Sequence, residues 1–177
     1  MLKLALITAF AILVIIICVL AFAAMKPARF NVQRSITVHA VPEKVFELID
    51  DLRRWPEWSA NEPDDSTVRR RYSGASAGKG AVCEWEGTGR AGKGRLEIIE
   101  SSPNRIRLQA DWAKPFAARN INIFSLESQG NTTRITWVLD GENVFMLKVM
   151  TVFVSADRLM GTHLEAGLEG LKAVAEK

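Results

Sequence analysis

Residues 145–175 read FMLKVMTVFVSADRLMGTHLEAGLEGLKAVA, and the folding of this stretch decides the architecture. At 100° per residue, Met146, Val149, Met150, Phe153, Ala156, Met160, Leu164, Gly167, Leu168, Leu171, Val174 and Ala175 share one stripe. Arg158, Thr162, Glu165, Glu169, Lys172 and Glu176 fall opposite. The spacing predicts one long amphipathic helix over Phe145–Ala175 and does not fit a period of two. A stripe of this length needs a cover. Its upper half is rich in methionine and aromatics, and Asp157 lies among the apolar positions, about 40° from Phe153.

The cover is written upstream. Residues 67–73, 81–87, 93–101, 105–112, 119–129 and 132–141 read as strands divided by short turns such as Ser102-Pro-Asn and Gly130-Asn. The clearest alternates Ile106, Leu108, Ala110 and Trp112 with Arg105, Arg107, Gln109 and Asp111. Ile135, Trp137 and Leu139 share a face further on, and Ala81, Cys83 and Trp85 share one earlier. Glu84, Glu86, Arg95, Arg105 and Arg107 take the opposite parity and read as the wet face. Short loops and alternation predict an antiparallel meander. Before it come a strand over 30–38 and a helix opened by Pro42-Glu43, running to about Leu52. Then Trp55-Pro-Glu-Trp58 makes a break or short helix, and 61–66 is a loop. The fold class is therefore α+β, with helices packed on one side of a sheet of six to seven strands.

The hydrophobic content, 48%, is concentrated at the N-terminus. Leu4–Ala24 contains no charge, and its 21 residues reach about 30 Å as a helix, enough to cross a bilayer core. A cleaved signal peptide is the rival reading, but its apolar region is usually only about 7–15 residues, so length favours a retained membrane anchor. The resulting organisation is an anchor over 1–26, a tether and strand start over 27–33, and a domain over 34–177. Lys26, Arg29 and Arg34 outweigh the α-amine and Lys3, which leans the domain towards the cytoplasmic side. Two of the three net positive charges belong to residues 1–26, so the remainder is near neutral and offers no footprint for nucleic acid. Cys18 lies in the anchor and Cys83 in a strand. They imply no disulfide framework, and Cys83 reads as a small core residue.

Four stretches together resemble a known family. They are Arg34-Ser-Ile-Thr-Val-His-Ala-Val-Pro-Glu-Lys-Val-Phe-Glu-Leu-Ile-Asp-Asp51, Trp55-Pro-Glu-Trp58, Gly78-Lys-Gly-Ala-Val-Cys-Glu-Trp85, and the terminal segment through Met150, Asp157, Met160, Gly161 and Leu168. The set is similar to the SRPBCC or START-like superfamily, of the Bet v 1 helix-grip type. Within it, the nearest likeness is to the bacterial polyketide cyclase/dehydrase and lipid-transport branch. The resemblance covers about 34–176. It implies a curved sheet gripping the terminal helix around an internal cavity for lipids, sterols, polyketides or other apolar molecules. Trp85, Leu108, Trp112 and Trp137 would face Met150, Phe153, Asp157 and Met160 across that cavity. Such a lining suits a hydrophobic ligand.

Catalytic motifs are missing. There is no Gly-x-Ser-x-Gly elbow and no phosphate loop leading into a helix. His39 and His163 lie far apart in sequence without ligand-spaced partners, so neither a metal nor another cofactor is expected. Asp157 and His163 are the two candidates for acid–base work. A carboxylate in an apolar stripe needs a partner, and an arginine from the sheet or first helix, or a polar group on a ligand, would supply it. The expected function is a membrane-anchored binding or transfer module for a hydrophobic small molecule or lipid. The alternatives are a cyclase- or aromatase-like enzyme using the same cavity, and a non-catalytic membrane protein that binds a protein partner.

Overall fold

A computed structural model describes residues 1–59, 68–88, 92–114 and 116–177. The loop expected over 61–66, the start of the strand expected at Thr67 and the centre of the bend at Pro115 lie outside the described residues.

The chain opens with a helix, α1 (Leu2–Ala24), followed by β1 (Arg29–Val38), α2 (Pro42–Asp50) and a single 3-10 turn at Trp55–Glu57. Six strands follow: β2 (Arg69–Gly74), β3 (Ala81–Glu86), β4 (Lys93–Ser102), β5 (Arg105–Lys114), β6 (Ala118–Gln129) and β7 (Thr132–Glu142). Two helices close the chain, α3 (Phe145–Phe153) and α4 (Ala156–Ala175). The strands form one antiparallel, curved, seven-stranded sheet in the order β1-β7-β6-β5-β4-β3-β2. This is the expected α+β helix-grip. Every step from β2 to β7 joins neighbours, which short turns permit in an antiparallel sheet.

The expected inward parity holds. Ile106, Leu108 and Ala110 on β5 and Ile135, Trp137 and Leu139 on β7 are buried, while Arg105 and Arg134 are exposed. Against this face α4 presents Leu164, Leu168 and Leu171, each no more than 2% exposed. Burial of a leucine contributes about 1.5–3 kcal/mol, so this triad fixes the C-terminal half of α4 to the sheet. Gly167 permits the close approach: a Cβ there would lie 2.7 Å from Cζ3 of Trp137.

The terminal segment is not one helix. Val154 (φ −134°, ψ 131°) and Ser155 (φ −61°, ψ 147°) are extended, and the Ser155 hydroxyl accepts from the Arg158 backbone N–H at 3.1 Å. Ser155 is thus an N-cap, with Asp157 in the first turn beside the positive helix end. Ahead of it, Thr151, Val152 and Val154 are β-branched and weaken the helix they end. The apolar stripe had masked these two local signals.

Candidate functional site

A cavity of about 570 Å³ lies between the sheet and the first half of α4. Its sheet wall carries Cys83, Trp85, Leu96, Ala110, Trp112, Trp137 and Leu139. Leu52, Trp55, Pro56 and Ser59 close one side, and Leu147 of α3 with Met160, His163 and Leu164 of α4 close another. Phe30, Val68, Phe116 and Ala118 extend the apolar surface. Polar groups are few: Arg70, Asn120, Asn122, Glu142 and His163 beside Ser59.

Four of the expected site residues therefore meet at one cavity: Trp85, Trp112, Trp137 and Met160. Trp85 and Trp112 meet edge to face at 5.0 Å. Trp137 lies 4.7 Å from Phe124 and 6.2 Å from Trp58 between ring centroids, and its indole N–H donates to Asn122 Oδ1 at 2.9 Å. The aromatic wall is thus held from behind. Trp55 and Trp58 belong to the same stack, 4.8 Å apart, and donate to the carbonyls of Ile49 and Leu48. These bonds attach the Trp-Pro-Glu-Trp turn to the end of α2.

The other four expected lining residues do not line the cavity. Leu108 has the right parity but is fully buried in the solid core. It lies two residues beyond Ala110, past the end of the open space. Met150 and Phe153 are 45% and 75% exposed, because α3 turns its other side, Leu147 and Thr151, inward. Asp157 points away as well. Its carboxylate accepts from both Arg34 terminal nitrogens, at 2.8 and 3.0 Å, while Arg34 Nε donates to Glu165. Arg34 reaches both acids by crossing α4 over Gly161, where a Cβ would collide with Nη2. The Arg34 hydrogen bonds hold the Asp157 carboxyl below the usual range, and the two acids raise the guanidinium in turn. Asp157 is a tie between β1 and α4, and the break at Ser155 removes its angular closeness to Phe153.

His163 does face the cavity, 6.0 Å from Trp137 between ring centroids. Burial lowers its pKa, so the imidazole is neutral at physiological pH. Burial likewise pushes the Cys83 thiol up, which makes it a poor nucleophile. Asn120, missed in the sequence, carries a buried Oδ1 with no protein partner. Alternation from Asn122 would have placed both amides on the inward face, since they lie two residues apart on β6. Among the described residues no group of three or more His, Cys, Asp or Glu side chains is placed to hold a metal ion.

Residues 29–176 match the family described as polyketide cyclase / dehydrase and lipid transport, and the chain belongs to it. No curated protein matches the chain by sequence. Solved structures share the fold at low identity. Major latex-like protein 151 of Panax ginseng superposes with a TM-score of 0.61 at 10% identity, over 85% of this chain and 100% of its own. A Nitrosospira multiformis protein gives 0.60 at 19% identity, over 82% and 96%. A Rhizobium loti protein gives 0.56 at 21% identity, again over 82% and 96%. The family and its Bet v 1-like fold support hydrophobic ligand binding. The 22 residues Lys3–Ala24, of mean hydropathy 3.2, are long and apolar enough to cross a membrane, as an anchor or a signal sequence would be.

Proposed function

We propose that the protein is a membrane-anchored module that binds or transfers a hydrophobic small molecule or lipid. The observation that carries this reading is the cavity of about 570 Å³ with its aromatic and aliphatic lining, within the usual range of about 300–1,000 Å³ for small-molecule sites. The apolar body of the ligand lies against Trp85, Trp112, Trp137 and Met160. Asn120 lines the cavity and offers its amide to one polar group of the ligand, although its Oδ1 is itself enclosed by protein against Gly141. Retention of α1 keeps the cavity beside the bilayer, where such ligands partition. The positive-inside rule favours a cytoplasmic domain.

Native mass spectrometry of the full chain released from membranes tests this reading, together with titration of a fluorescent apolar probe. Bound lipid-sized mass and saturable probe uptake are expected. Ala110→Phe, which fills the cavity, should abolish uptake, and Asn120→Leu should weaken a hydroxyl-bearing ligand about three- to tenfold. Recovery of bare protein that takes up no probe would end the binding proposal. One observation favours the enzyme reading, the neutral His163 on the cavity wall. Acid–base catalysis needs that nitrogen within about 3 Å of the ligand or one water away, so a ligand-bound structure with His163 remote from the ligand removes it.

A further inference from the structure

The apolar side chains of α3 point away from the cavity they were expected to line. Phe145 and Met146 are each 54% exposed, Met150 45% and Phe153 75%. These four occupy about 140° of the helix circumference, and Val154 and Leu159, at and beyond the break, are exposed as well. A contiguous exposed patch of large apolar residues marks an interaction surface.

The place of α3 in the fold names the partner. Helix α1 meets the domain chiefly through α3. The three residues that follow α1 and its first turn outward are pinned to the same region. Lys26 Nζ donates to the Thr151 carbonyl at 2.6 Å, Asn143 Nδ2 to the Pro27 carbonyl at 3.0 Å, and the Asn143 backbone N–H to the Ala28 carbonyl at 2.8 Å. The tether is therefore short and fixed, and the domain cannot swing clear of α1. With 23 residues, α1 is about 34 Å long, close to the thickness of a bilayer core. Its C-terminal end then stands at the membrane surface, and α3 stands beside that end.

We propose that α3 is an interfacial helix lying in the headgroup layer, with Phe145, Met146, Met150 and Phe153 embedded at the acyl boundary. Its other side holds Leu147 against the cavity, so one helix separates the bound ligand from the bilayer. Amphipathic helices bind membranes in this way when an apolar face reaches the headgroup–acyl boundary. Lys148, on the flank of that face, meets lipid phosphates. The proposal rests on the reading of α1 as a retained anchor.

The test uses the full chain in a Cys18→Ala, Cys83→Ala background, reconstituted in vesicles of phosphatidylcholine and phosphatidylglycerol. Nitroxide labels are placed singly at Ile12→Cys, Phe153→Cys and Glu169→Cys, and depth is read from accessibility to oxygen against a water-soluble nickel complex. The Ile12 label should lie deep in the hydrocarbon, the Phe153 label a few ångströms below the phosphates, and the Glu169 label in water. An Ile12 label in hydrocarbon with a Phe153 label as water-accessible as that at Glu169 overturns the interfacial helix and leaves the anchor standing. An Ile12 label in water overturns both. Phe153 and Glu169 are exposed, so labelling there does not disturb the core.

Discussion

Removing the Trp137 side chain tests the sheet parity and the cavity wall together. Trp137 is 3% exposed, stacks on Phe124, meets Trp58 and His163 at their edges, and fills the notch left by Gly167. A tryptophan buries about 150–250 Å². At about 25 cal/mol per Å² this sets an upper figure near 4–6 kcal/mol. Part of the ring faces the cavity and has fewer partner atoms there, which moves the expectation for Trp137→Ala to about 3–5 kcal/mol, in line with large-to-small substitutions. Loss of the indole N–H also strands Asn122 Oδ1, but the enlarged cavity admits water to satisfy it. Trp137→Phe separates the two effects, because it keeps most of the stacking and loses the hydrogen bond, at about 1 kcal/mol. Urea unfolding of the full chain in a mild detergent, followed by far-ultraviolet circular dichroism with the α1 signal as a constant baseline, gives both numbers. A loss below about 1 kcal/mol for Trp137→Ala would refute the packing argument, since no residue with these neighbours is so cheaply removed.

Two further predictions concern α4. Because burial lowers the His163 pKa below its unfolded value near 6.5, the unfolded chain binds the extra proton first. The stability that neutral His163 permits is present above about pH 6.5 and falls as the pH drops through the window below it, at no more than about 1.4 kcal/mol per pH unit. Melting curves of the protein and of His163→Leu between pH 5 and 8 should diverge there, and parallel curves would show that the imidazole titrates freely. The second prediction is conditional. Gly161→Ala gains about 1 kcal/mol of helix propensity, but its Cβ displaces the Arg34 guanidinium from Asp157. The gain should appear in an Arg34→Ala background and shrink or vanish with Arg34 present. Equal stabilisation in both backgrounds would mean that Arg34 does not cross α4 at Gly161.

Most of the fold was legible because its signals are local and repeated. Alternation in β5 and β7, turn residues between strands and Pro42 at the start of α2 each state one element, and each agrees with the sheet that results. The site was less legible. Trp85, Trp112, Trp137 and Met160 follow from parity, but parity says which face a side chain takes and not where along the strand the core becomes hollow. Leu108 was misplaced for that reason. Met150, Phe153 and Asp157 were misplaced for another. A helical wheel carries its phase through every residue, and two extended residues at Val154 and Ser155 reset it. Ser155 followed by Asp157 was the available warning, an N-cap with an acid in the first turn.

The same geometry separates the two acid–base candidates. Asp157 and His163 are six residues apart on α4, which sets them about 120° apart around the helix. They project to different sides, one to the Arg34 tie on β1 and the other to the cavity. With Asp157 tied to Arg34 outside the cavity, the two do not face a common ligand as an acid–base pair. What remains at the cavity is a neutral imidazole beside Trp137, the Asn120 side chain and a long apolar wall. On the reading proposed above, Asn120 would orient one polar group and the wall would take the hydrocarbon attached to it. This division of labour favours recognition of a ligand by one fixed contact and a large tolerant surface. It also makes Asn120, rather than Asp157 or His163, the residue whose loss should change which ligands are held.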